Sequence, residues 1–131
     1  MKLIIGGFAQ GKLDYVLSKY ELKEGNVWDA ALPDKQEILK MESGGCVVIN
    51  RFHQWVRECM SRGGCPQKEL DAFLERCKNC VIISDEVGNG IVPADSFERE
   101  YREQAGRLLI RLAQKAEGVE RVICGIGQKI K

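Results

Sequence analysis

Residues 2–13 read Lys-Leu-Ile-Ile-Gly-Gly-Phe-Ala-Gln-Gly-Lys-Leu. Three apolar residues, Leu3, Ile4 and Ile5, form a short buried-strand signal that ends in two glycines. From Lys12 onward Leu13, Val16, Leu17 and Tyr20 follow helical spacing. The stretch is therefore strand, glycine turn, helix, and within it Gly6, Gly7, Phe8, Ala9, Gln10, Gly11 and Lys12 fit the G-x-x-x-x-G-K core of a phosphate-binding loop. Glycines let backbone N–H groups turn inward around phosphate oxygens, the helix start adds its dipole, and the lysine reaches the terminal phosphates. A glycine-rich turn with no ligand is the competing reading. The loop's place, directly after a strand and directly before a helix, is what the phosphate mechanism requires.

Outward from this unit, apolar runs and helical patterns keep alternating. Asn26, Val27 and Trp28 read as a second strand and residues 46–49 as a third. Phe52, Trp55, Val56 and Cys59 form a helical stripe that Gly63 and Gly64 stop. Leu70, Phe73, Leu74 and Cys77 share one face of a helix over residues 67–77, and residues 81–83 return to strand. Asp95 or Ser96 caps a long amphipathic helix carrying Phe97, Tyr101, Ala105, Leu108, Leu112 and Ala116, and residues 119–124 close as a last strand. Strands spaced by helices imply a mostly parallel sheet covered on both faces, with ligands at the carboxyl ends of the strands. The expected fold is thus an α/β, P-loop NTPase-like three-layer sandwich in one domain, residues 1–131. The segment 32–43 carries no clear pattern.

The chain has 131 residues, of which 20 are basic and 19 acidic, for a net charge of +1. No global field exists to hold nucleic acid or an anionic membrane. No window approaches the ~18 apolar residues of a membrane span, and the apolar run after Lys2 is too short for a signal peptide, so a cytoplasmic location is expected. The 6 cysteines then read as reduced thiols. Cys59, Cys65, Cys77 and Cys80 are spaced C-x5-C-x11-C-x2-C, which matches no common zinc finger, and Cys77 lies on an apolar helix face. Structural thiols are the favoured reading, and no metal ligand is assigned.

Two positions weaken the metal side of a nucleotide site. Leu13 stands where a hydroxyl ligand of Mg²⁺ is usual, and Asn50 ends a strand where an acidic residue facing the metal is common. Phosphate binding therefore has better support than phosphoryl transfer. At the carboxyl end of the strand over residues 81–83, Asp85 and Glu86 precede a glycine-rich loop, a placement suited to metal, hydroxyl or ribose contacts or to a solvated turn. The lone histidine, His53, follows a strand end and either faces the site or serves as a surface or capping residue.

The stretch Ser84-Asp85-Glu86-Val87-Gly88-Asn89-Gly90-Ile91-Val92-Pro93, the helix segment from Glu100 to Arg107, and the closing residues 125–131 resemble the bifunctional adenosylcobinamide kinase and adenosylcobinamide-phosphate guanylyltransferase family. That family's pattern is near S-N-E-V-G-x-G-I-V-P, then F-R-D-x-A-G-R-x-N-Q, with an amino-terminal G-G-x-x-S-G-K-S loop; the resemblance covers residues 1–20 and 46–131. It implies a P-loop fold, ATP or GTP as donor, phosphorylation of the aminopropanol hydroxyl of adenosylcobinamide, and guanylyl transfer through a histidine. Carried over, residues 6–12 would hold phosphates, Asn50 occupies the family's acidic position, Glu86, Gly88 and Gly90 match the signature loop, and Arg107 matches its A-G-R. Lys12, Asp85 and Glu86 become the catalytic candidates, with His53 behind them. Leu109 and Ile110 replace the family's Asn-Gln, and residues 30–45 contain no counterpart of its histidine-bearing segment. The expectation is a nucleotide-binding kinase-like protein that has lost guanylyl transfer, or else an inactive nucleotide- or corrinoid-binding partner or sensor. Its expected partners are a purine nucleotide, adenosylcobinamide and further copies of the chain.

Overall fold

The computed structural model describes residues 1–41, 45–88, 90–91 and 93–131. Six strands form one sheet in the order β2-β3-β4-β1-β5-β6: β1 (Lys2–Gly6), β2 (Val27–Asp29), β3 (Val47–Asn50), β4 (Cys80–Asp85), β5 (Gly118–Ile123) and β6 (Ile126–Lys129). The first five are mutually parallel, and β6 runs antiparallel to β5. β1 lies at the centre, with Leu3 opposite Ile82 on β4 and Val119 on β5.

The pleat divides the apolar residues between two cores. Leu3, Val47, Ile49, Ile82 and Val119 face α3 (Phe52–Ser61), α4 (Pro66–Arg76) and α5 (Ser96–Lys115), whose Phe52, Trp55, Phe73, Leu108 and Leu112 fill that side. Ile4, Val48, Val81, Ile83 and Val122 face the opposite way, where Val16 of α1 (Lys12–Lys19) covers them. Helix, sheet, helix is the three-layer α/β arrangement expected from the alternation. Among the described residues no helix is long and apolar enough to cross a membrane.

The helix starts follow local chemistry. Asp95 caps α5 by accepting from the N–H groups of Phe97 and Glu98, and α4 begins with Pro66, whose missing N–H is of no consequence in a first turn. In the segment without a clear pattern, α2 (Lys35–Leu39) is nucleated by a reciprocal cap between Asp34 and Glu37. Residues 42 and 43 of that segment, residue 44 after it, and Asn89 and Val92 of the loop after β4 lie outside the described residues.

The structure departs from the sequence reading at the carboxyl-terminal edge. The last expected strand stops at Ile123, and Cys124 and Gly125, with φ of 51° and 75°, make a two-residue turn into β6. Positive φ at both central residues matches the twist of a tight hairpin. β6 gave no signal because its residues are short of apolar alternation and mostly exposed. In the interior of the sheet the strand expected over residues 81–83 extends as β4 to Asp85, its last residue.

Phe73 is fully buried between α4 and the sheet, whereas Ile110 on α5 is 61% exposed. Phe73→Ala should therefore cost about 3–5 kcal/mol, and Ile110→Ala no more than about 0.5 kcal/mol, in urea denaturation followed by circular dichroism.

Candidate functional site

The carboxyl ends of β3 and β4, the loop after β1 and the first turns of α1 and α3 enclose a cleft of about 390 Å³. Residues 8–11 of the loop between β1 and α1 line it, while Gly6 and Gly7 precede this lining. Gly6 enters this loop under tight packing, since a Cβ there would fall 2.5 Å from the carbonyl oxygen of Val122. Gly11, at φ 79°, turns the chain into α1 in a conformation that costs other residues strain. The β5–β6 hairpin braces the loop from outside: Cys124 N–H donates to Gln10 Oε1 at 2.7 Å and Gly125 N–H to the Gln10 carbonyl at 2.8 Å. Gln10 is thereby an anchor of the loop, while Phe8 projects at the cleft's rim, largely exposed.

Lys12 is only 8% exposed. Its ammonium donates to the Gly7 carbonyl at 2.6 Å and pairs with Asp85 Oδ1 at 2.7 Å. The pairing arises from the sheet register, because Gly6 on β1 lies opposite Asp85 on β4. Asp85 also engages His53. Its backbone N–H donates to His53 Nδ1 at 3.1 Å, and its Oδ2 lies 3.4 Å from Nε2. An accepting Nδ1 places the ring proton on Nε2, toward the carboxylate. Burial pushes the His53 pKa below its ordinary value; Asp85 partly opposes this, and the charges of Lys12 and Arg51 add to it. His53 is a buried, neutral wall of the cleft, not a surface or capping residue.

The remaining expected residues divide between the cleft and other places. Leu13 and Asn50 line the cleft; Leu13 packs against the α1-side core, and Asn50 Nδ2 donates to Asp29 Oδ1 at 3.1 Å. Glu86 points away from it, its carboxylate held by Arg121 Nε at 2.7 Å and Nη2 at 3.1 Å. Gly88 and Gly90 adopt positive φ in the exposed loop after β4 and do not line the cleft. Arg107 is on the exposed face of α5, paired with Glu103 one turn earlier, also outside the lining.

Arg51 lines the cleft although sequence reasoning did not single it out. It is the N-cap of α3 at φ 51° and forms a bidentate pair with Asp29, Nε to Oδ1 at 2.8 Å and Nη2 to Oδ2 at 2.7 Å. The available signal was positional: it directly follows a strand's carboxyl end in a parallel sheet, where ligands gather. Among the described residues no group of three or more His, Cys, Asp or Glu side chains is arranged to hold a metal ion.

In comparisons with known proteins, the family model described as cobinamide kinase / cobinamide phosphate guanyltransferase matches residues 24–130, a span that begins after the glycine loop. The bifunctional adenosylcobalamin biosynthesis protein CobU of Salmonella typhimurium is 39% identical over 86 residues, covering 63% of this chain and 46% of that protein. CobU of Escherichia coli is 40% identical over 67 residues, 48% of this chain and 37% of that protein. The bifunctional protein CobP of Pseudomonas aeruginosa is 26% identical over 98 residues, 69% of this chain and 56% of that protein. The chain thus aligns with roughly half of each of these relatives or less.

A histidine that folds neutral makes stability depend on pH. Its folded pKa lies below the unfolded value of about 6.5, so the unfolded chain binds the extra proton first. The contribution is complete above that value and is lost as pH falls through it toward the folded pKa. Denaturant midpoints should fall between pH 7 and 5.5 in the natural protein and fall less in His53→Asn. The same histidine's NMR titration should report a midpoint below 6.5.

Proposed function

The chain belongs to the cobinamide kinase / cobinamide phosphate guanyltransferase family, and from that premise we propose that it binds a purine nucleoside triphosphate, ATP or GTP, in the cleft above residues 6–12 and phosphorylates the aminopropanol hydroxyl of adenosylcobinamide in cobalamin assembly, without guanylyl transfer. The observation that carries this reading is Lys12, a buried ammonium held at the mouth of a glycine loop between Gly7 and Asp85.

Each residue then has a role its geometry supports. The loop's backbone N–H groups and the start of α1 receive phosphate oxygens, and Lys12 neutralises the charge that shifts onto them during transfer. Asp85 orients the acceptor hydroxyl toward the terminal phosphate and accepts its proton. Glu86, tied to Arg121, holds the loop entry, since its own N–H donates to the Gly6 carbonyl at 2.9 Å. Gly88, Gly90 and Arg107 stand apart from the cleft, and any contact they make with a large acceptor would be at its periphery.

The residues fit Mg²⁺ poorly. Leu13 offers hydrocarbon where an inner-shell oxygen is needed, and the Asn50 amide is turned to Asp29. No step is therefore assigned to a metal. Guanylyl transfer requires a nucleophile aimed at an α-phosphate, and both nitrogens of His53 face Asp85 instead. A second reading, an inactive nucleotide- or corrinoid-binding partner or sensor, is favoured by Leu13 and Asn50 standing together where a hydroxyl and a carboxylate metal ligand are usual.

GTP or ATP at about 100 times its dissociation constant should stabilise the protein by about 2.7 kcal/mol, seen as a raised thermal midpoint that Lys12→Ala largely abolishes. No shift with either nucleotide, with or without Mg²⁺, would refute the phosphate site.

Label in the γ-phosphate should pass to adenosylcobinamide, whereas label in the α-phosphate should leave the protein unmodified. Absence of the first transfer with retained binding establishes the partner or sensor reading. An acid-labile GMP adduct that vanishes in His53→Ala would restore the transferase.

A further inference from the structure

We propose that Arg51 is the second phosphate-binding cation of the cleft, exchanging its pair with Asp29 for the terminal phosphate of a nucleoside triphosphate and supplying charge that a metal ion would otherwise supply. This rests on the nucleotide reading of the same cleft and adds a residue to it.

The charge balance of the lining is the first argument. Its charged residues are Lys12 and Arg51 against Asp14 and Asp85. Lys12 and Asp85 balance one another, so without Arg51 the carboxylate of Asp14 would leave the walls with a net negative charge facing a polyanion. Leu13 meanwhile offers no oxygen ligand and Asn50 only a neutral amide, so a divalent ion is poorly held to offset that charge.

Arg51 is also built to make the exchange. Its guanidinium forms two parallel bonds to the Asp29 carboxylate, and the same planar fork matches two phosphate oxygens. The pair is solvent-exposed, with side-chain exposures of 54% and 51%, and pairs of that kind are held weakly enough to be traded for a more highly charged acceptor. Release strands nothing in the interior, since Asp29 is solvent-exposed and keeps the Asn50 amide. The left-handed backbone at φ 51° is a second mark of a constrained position at the cleft rim.

The test is calorimetric titration of the whole protein with GTP and with GDP in EDTA. In Arg51→Gln, GTP affinity should fall about 10-fold or more, the size of a lost charge-assisted pair, while GDP affinity changes no more than about 2-fold. Arg51→Lys should recover part of the GTP affinity, and Asp29→Asn, which frees the guanidinium, should strengthen GTP binding relative to GDP. A structural role alone would not move the GTP-to-GDP ratio. The same ratio in natural protein and Arg51→Gln overturns the inference and leaves the nucleotide reading standing; if Arg51→Gln fails to fold, an unchanged ratio in Asp29→Asn overturns it equally. GTP binding by the natural protein that demands Mg²⁺ overturns it too. Should GTP and GDP not bind, ATP and ADP replace them in the same comparison; failure to bind any of the four under any condition overturns the nucleotide reading and this inference together.

Discussion

The contact between the Lys12 ammonium and the Asp85 carboxylate, 2.7 Å apart at the edge of the sheet, is the constraint around which the cleft is organised. A lysine this buried carries a large desolvation cost unless its donors are satisfied, and removing one partner of such a pair is far more damaging than the pair is stabilising. Asp85 and the Gly7 carbonyl together meet that requirement. Both depend on the central strand pairing, because the register that sets Ile4 opposite Ile83 also brings Asp85 beside Gly6. Loop shape, carboxylate position and the orientation of the His53 ring are consequently consequences of one parallel ladder.

The adjacent carboxylates Asp85 and Glu86 illustrate how that ladder separates roles. Consecutive residues at a strand's end point to opposite sides. Asp85 turns into the cleft, whereas Glu86 reaches Arg121 on β5 and closes the sheet edge beneath the loop. A few residues further along β5 the hairpin turn grips Gln10. The phosphate-type loop is held from below by β4, from the side by β5 and from outside by the turn into β6, which explains how a segment containing Gly6, Gly7 and Gly11 keeps one shape despite the freedom glycine brings.

What the sequence revealed of this arrangement, and what it concealed, follows from how local each signal is. The strand, loop and helix of residues 2–19 are contiguous, so their apolar run, glycines and lysine are visible without tertiary information. The same holds for α5, whose apolar stripe is long and whose cap is the adjacent Asp95. Asp85 and Glu86 were identifiable as a pair at a strand end, but their opposite directions depend on where β4 stops. β6 is an edge strand of four residues with little apolar content, so only its pairing with β5 defines it. Arg51 resembles any surface cation until β2 brings Asp29, and the loop brings Lys12, to the same end of the sheet. Arg107 shows the reverse: a position that stands out as part of a motif lies on the exposed face of α5, outside the cleft lining.

The two helices that open onto the cleft share a further property. α1 begins at Gly11 and α3 at Arg51, both in left-handed conformation and neither with a side-chain cap. Of the helices whose starts lie elsewhere, α2 and α5 are capped by an aspartate, while α4 lacks a side-chain cap and begins instead with Pro66. A carboxylate cap would occupy the orphan N–H groups of the first turn and cancel part of the positive end of the helix dipole. Its absence at these two starts leaves donors and partial positive charge directed toward the volume that Lys12 and Arg51 flank. Fixed dipoles of this kind neither titrate nor exchange with solvent. In a cleft where Leu13 and Asn50 offer a metal little purchase, they support the reading of an anion site that relies on protein charge alone.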